Sequence, residues 1–167
     1  EEGDLLANLA DVLRRKDDSR LLVVGHHPML SNGPHGGRLS LKEHLFPLTE
    51  LWENAYIPFP LVGSLYPLIR GWSGGRQDMS HSRYRSFRRA LMAMFERFEN
   101  HLVYASGHDH SLQHFPVGNV DYLVSGSSSR SKFVSKGRGA AFTSRESGFL
   151  EIEYLSDGSS VLRAHSS

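Results

Sequence analysis

The chain contains no cysteine, so disulfide staples, thiolate metal sites and cysteine nucleophiles are excluded together. Any metal it binds is held by nitrogen and oxygen. An excess of one charge is also missing: 19 Lys and Arg face 18 Asp and Glu over 167 residues, a formal net charge of +1. With no basic block, binding along a nucleic-acid backbone has little electrostatic support, and no nucleic-acid partner is expected. Long apolar runs are absent as well. The longest uncharged stretch, residues 54–69, has 16 residues and carries Pro58, Pro60 and Pro67, short of the ~20 residues of a membrane helix. The opening EEGDLLANLADVLRRKDD has no basic segment leading into an apolar one, so no signal peptide is read there. What remains, 39% hydrophobic and 22% charged residues, is an ordinary globular composition of one-domain length.

Leu5, Leu6, Leu9, Val12 and Leu13 recur at helical spacing and run into the charged segment 14–18, which predicts an amphipathic first helix. The apolar run 21–24, closed by Gly25, predicts a strand buried on both faces. Residues 38–81 keep no period and read as an insertion or lid. Tyr84, Phe87, Leu91, Met94, Phe95 and Phe98 then predict a second amphipathic helix over 82–99. A second strand follows at 101–105, ending in Ser106-Gly107. Further strands are expected at 120–124, 140–143, 149–154 and 161–164, the last two joined by an Asp157-Gly158 turn. Helices feeding short buried strands point to an α/β fold.

Eight of the ten histidines fall in two groups, His26, His27, His35 and His44 after the first strand, and His101, His108, His110 and His114 around the second. Sites on parallel sheets form beyond the carboxyl ends of strands, where both VVGHHP and YASGHDH lie. Neutral imidazole is a common metal ligand, and an H-x-H pair in extended backbone sends both rings to one side. His108 and His110 can therefore face one centre. The glycines at 25 and 107 would allow close backbone approach beside it.

VVGHHPMLSNGPHGG, YASGHDHSLQHF and YLVSGSSS, in that order, resemble the second half of the calcineurin-like metallophosphoesterases, specifically their purple or tartrate-resistant acid phosphatase branch. GHDHSLQ carries most of the likeness; the stretch between about residues 38 and 81 carries none. The resemblance implies the C-terminal half of a four-layer α/β/β/α sandwich with a mixed sheet, and binuclear metal-dependent hydrolysis of phosphoesters. It implies that His26 and His108 bind one metal, that His110 binds the other, and that His35 contacts the phosphate or assists the leaving group. Two divalent or trivalent ions, of Fe, Zn or Mn, would be the cofactors. His27 and Asp109 fall to structural roles, and His44 and His114 have none assigned. The family's Asp-x-His, Gly-Asp-x-x-Asp and Gly-Asn-His-(Asp/Glu) motifs precede the GHHP segment, and none occurs in this chain. The chain thus reads as the C-terminal part of a single domain, inactive alone, whose partner is the missing N-terminal half. A periplasmic or secreted, extracytoplasmic setting follows from the same likeness.

Two other readings stand beside this one. His26, His108 and His110 alone could form a mononuclear three-histidine zinc site with an open position for water. Alternatively the chain is a non-catalytic interaction or envelope module. Phe46, Trp52, Phe59 and Tyr66 of the insertion would then make a membrane-surface or protein contact, or simply pack on their own domain. The cationic stretch 125–139, with Arg130, Lys132, Lys136 and Arg138, would draw an anionic substrate or stand as a surface loop.

Overall fold

The computed structural model describes residues 2–16, 20–36, 82–126 and 132–167. The insertion expected at 38–81, with His44 and its aromatic residues, lies outside the described residues, as does Arg130 of the cationic stretch. The fold is mixed α/β. Helix α1 (Glu2–Arg15) leads to strand β1 (Leu21–Gly25), and helix α2 (Ser82–Phe95) to β2 (Leu102–Ser106). Strands β3 (Leu112–Val117), β4 (Val120–Ser125) and β5 (Phe142–Ser144) complete a five-stranded sheet in the order β1-β2-β4-β3-β5. The first three members of that order run parallel, and β3 is antiparallel to both β4 and β5. Strands β6 (Gly148–Tyr154) and β7 (Ser160–Ser166) form a separate ribbon.

One sheet face and the two helices make the core. The register sets Leu21, Leu102 and Val120 in one row and Val23, Tyr104 and Tyr122 in the next. Leu13 of α1, Leu91 and Phe95 of α2, and Phe98 just beyond it close over those rows. Helix α2 ends at Phe95 rather than Glu99, yet Phe98 is still buried, because the turn after the helix carries it onto the same face. Strand β1 departs from expectation: it is an edge strand among the described residues, and Leu22 and Val24 stand 51% and 73% exposed. Strand β3 has no clear signal in the sequence, since Pro116 interrupts its apolar pattern. It is tolerated because β5 pairs only with residues 112–114, which leaves Pro116 without a strand partner on that side among the described residues.

On the other sheet face Asp121 holds two imidazoles, with His114 Nε2 at 2.6 Å from one carboxylate oxygen and His101 Nε2 at 2.8 Å from the other. The hydrogen bond from His114 first, and that from His101 after it, hold the Asp121 carboxyl below its ordinary range against an opposing burial effect. A carboxyl depressed in the folded state adds stability above its unfolded value near ~3.9, and that stability is lost as pH falls through the folded value. Urea unfolding from pH 7 down to pH 2 is expected to show Asp121→Asn less stable than the parent at neutral pH. The gap should close below about pH 4; a gap that does not change with pH would refute the linkage.

Candidate metal centre

Strands β1 and β2 end side by side, Gly25 opposite Ser106, and both chains bend immediately afterwards, at residues 26–27 and 108–111. The Gly107 N–H donates to His26 O at 3.2 Å and ties the two exits together. Tyr104 sends its hydroxyl to His27 O at 2.9 Å. Its ring fills the space a side chain at position 25 would need: a Cβ on Gly25 would lie 2.0 Å from the Tyr104 hydroxyl oxygen. Burial pushes this hydroxyl up to about 12, so it remains a donor through the neutral range. Tyr84 of α2 plays a similar part, donating to Pro28 O at 3.0 Å. Among the described residues nothing crowds the corresponding point at Gly107, so of the two glycines only Gly25 shows the close approach expected.

His108 has φ of 64°, the left-handed region in which histidine is among the enriched non-glycine residues. Asp109 N–H donates to Gly107 O at 2.8 Å and Ser111 N–H to Asp109 O at 2.9 Å. These bonds wind 107–111 into a tight loop in place of the extended H-x-H segment expected, so no strand pleat aligns the rings of His108 and His110. Such strained positions persist where the surroundings over-determine them, and they gather at functional sites.

The surroundings are a buried polar network. Gln113, fully buried, accepts the Asn32 N–H at 2.7 Å and donates to Ser31 Oγ at 3.1 Å and Ser111 Oγ at 2.8 Å. Ser31 Oγ donates in turn to the buried carboxylate of Asp109. Asn32 reaches out to Gly137 O through its side-chain amide and accepts Ser135 N–H at 3.0 Å. Loop 31–33 after β1 is thereby bolted to loop 107–111 after β2 and to Gln113 at the start of β3.

The outcome is a group of imidazoles. His108 Nδ1 lies 3.1 Å from His26 Nε2, a partner 82 residues away. His27 is the third member, its ring centroid 4.8 Å from that of His26 and 4.3 Å from that of His108. One ligand nitrogen from each of the three lies within 4.8 Å of the others, and this is the one such donor group among the described residues. His110 stands outside it, with a buried Nδ1 that has no hydrogen-bond partner among the described residues. His35 sits in the single turn Pro34–Gly36, and His114 is occupied by Asp121 on the far face. The inclusion of His27 was legible only in part. A His-His doublet at a strand end invites attention, but the family likeness gives only its first member a metal and the second a structural role. A cleft of about 420 Å³ between α1, α2 and β1 adjoins the group, lined by His26 and His27 together with Leu9, Val23, Phe87 and Tyr104.

No protein-family model matches the chain, and no curated protein does. Among solved structures it is similar to one titled "GAP50 the anchor in the inner membrane complex of Plasmodium", with 26% sequence identity, covering 56% of this chain and 29% of that one. The TM-score is 0.41, a likeness that carries no argument about fold or function. No helix among the described residues is long and apolar enough to cross a membrane.

Proposed function

We propose that the chain supplies the C-terminal histidine ligands of a binuclear metal centre that hydrolyses phosphoesters. The observation that carries this reading is the meeting of His26 and His108, delivered from the carboxyl ends of adjacent parallel strands with their ring nitrogens 3.1 Å apart. Two ligands of one tetrahedral metal at ~2.0–2.1 Å stand about 3.3 Å from each other, so the pair has the spacing of a shared ion. The donor chemistry fits the implied group in a second respect. His110 offers a buried Nδ1 without a partner among the described residues, which leaves it available to a second ion. His35, in the turn Pro34–Gly36, keeps the role the likeness gives it, contact with the phosphate or assistance to the leaving group.

Nitrogen donors suit Zn or Fe, and carboxylates completing the set would admit Mn. Among the described residues no carboxylate joins the group, and Asp109 is engaged by Ser31. The remaining ligands belong, in this reading, to the N-terminal half of the same domain. Two ions at such a site polarise a phosphoryl oxygen and lower the pKa of bound water. The chain's own residues hold His26 and His108 at fixed distance and keep the Tyr104 hydroxyl protonated behind them. Helices on one sheet face and the β6–β7 ribbon beside β4, where Leu150 N–H donates to Ser125 Oγ at 3.0 Å, support the finer assignment to a four-layer sandwich. An extracytoplasmic setting belongs to the same proposal.

The test is metal analysis and turnover of the complete gene product. It is expected to bind two equivalents of Zn, Fe or Mn and to cleave p-nitrophenyl phosphate only when loaded. A complete protein that takes up no metal and leaves the ester intact overturns the proposal.

A further inference from the structure

We infer that His27 is a third nitrogen ligand beside His26 and His108, so that this chain by itself holds one tetrahedral transition-metal ion, with the fourth position left to water or substrate. The inference rests on the reading of His26 and His108 as a metal pair and adds a residue to which that reading gives no role. Neighbouring residues in a strand cannot share a ligand, because their side chains diverge. Here the strand has ended at Gly25 and residues 26–27 lie in a bend, so both rings turn to the same point. The backbone holds them there: His26 O accepts Gly107 N–H and His27 O accepts the Tyr104 hydroxyl.

The three ring centroids lie 4.3, 4.8 and 5.0 Å from one another. The donor nitrogens, all within 4.8 Å, need close in only toward the about 3.3 Å separation of ligands at ~2.0–2.1 Å from one ion. That movement is a change of side-chain torsion at fixed backbone. An all-imidazole set of three with one open position suits Zn or Co better than Mg or Ca, which prefer oxygen. It also needs no carboxylate, and none joins the group among the described residues.

Titration of the 167-residue chain with Co(II), followed by its visible d–d absorption, and with Zn by calorimetry, tests this directly. One equivalent is expected to bind with the intense bands of tetrahedral Co(II). His27→Gln should keep the circular dichroism of the parent while weakening binding by at least ~10–100-fold, a loss no smaller than that on removing an outer partner of a ligand. Nitrogen-15 imidazole spectra of the parent should show the ring of His27 shifting with Zn alongside those of His26 and His108, a readout independent of any variant. If His26→Gln and His108→Gln abolish binding while His27→Gln leaves it unchanged and the His27 ring signal stays still, the inference falls and the pair survives. If none of the rings responds to metal, the inference falls, and the two-metal reading is decided separately on the complete gene product.

Discussion

Gln113→Leu is expected to lower stability by about 2–4 kcal/mol, because one side chain serves two buried partners, Asn32 and Ser111, and the part-buried Ser31, and leucine serves none. Its carbonyl accepts the N–H of Asn32, and its amide donates to Ser31 and Ser111. Asn32 is 3% exposed and Gln113 has no exposed surface, so water does not replace the lost bonds. An orphaned buried N–H costs ~1–3 kcal/mol by itself, and the lost bond to the buried Ser111 hydroxyl adds to it, while Ser31 keeps Asp109 and Gly33 as partners. At ~2–4 °C per kcal/mol for a chain of this size, the melting temperature should drop by roughly 4–16 °C. The effect extends to the site, since Gln113 joins loop 31–33 to the loop that carries His108 in its left-handed conformation. Zinc affinity of the proposed site is therefore expected to fall by ~10–100-fold, the loss expected when an outer partner of a metal ligand is removed. Thermal melts with and without Zn measure both numbers. A variant that melts with the parent would show that the network bears no part of the loop geometry.

Ser31, Asn32 and Gln113 lie within the motif segments VVGHHPMLSNGPHGG and GHDHSLQ, but their residue types do not show that they meet. What brings them together is the parallel pairing of β1 with β2, which sets the segments after them side by side. The elements themselves were more legible. The amphipathic spacing of Leu6, Leu9 and Leu13 and that of Phe87, Leu91 and Phe95 marks both helices, because burial on one face of a helix imposes its own period. The run 102–105 marks a strand for the opposite reason, that both its faces are covered and no alternation survives. The same logic misreads β1. Leu22 and Val24 look like the far side of a doubly covered strand, yet they stand on an edge with nothing over them among the described residues.

At the site, clustering along the sequence placed His26 and His108 at neighbouring strand ends, which depends only on where strands stop. Ring direction depends on backbone torsion, and there the period-two rule lapses: it aligns His108 with His110 only in extended backbone, and the loop at 107–111 is wound. His27 is given a structural role by the family likeness, not by spacing. A pleat argument carries weight only inside a paired strand.

Phe95→Ala carries the largest expected loss of stability. Phe95 has no exposed surface and sits where α2 meets the sheet, its ring 5.8 Å from that of Tyr104. Truncating a buried phenylalanine costs ~3–5 kcal/mol, the lost transfer free energy together with the cavity left behind. With ~2–4 °C per kcal/mol, the melting point should fall by roughly 6–20 °C. The consequence reaches the imidazoles through Tyr104, whose ring packs against Phe95 on one side and whose hydroxyl fixes His27 O. Val24→Ser is the matched control: its site is 73% exposed, so in this chain the change should stay within about 0.5 kcal/mol. If Val24→Ser costs as much as Phe95→Ala, the outer face of β1 is covered in solution, and the core is not confined to the helix side of the sheet. If both are nearly neutral, Phe95 does not close the core, and the packing described between α2 and the rows of Leu102 and Tyr104 is wrong.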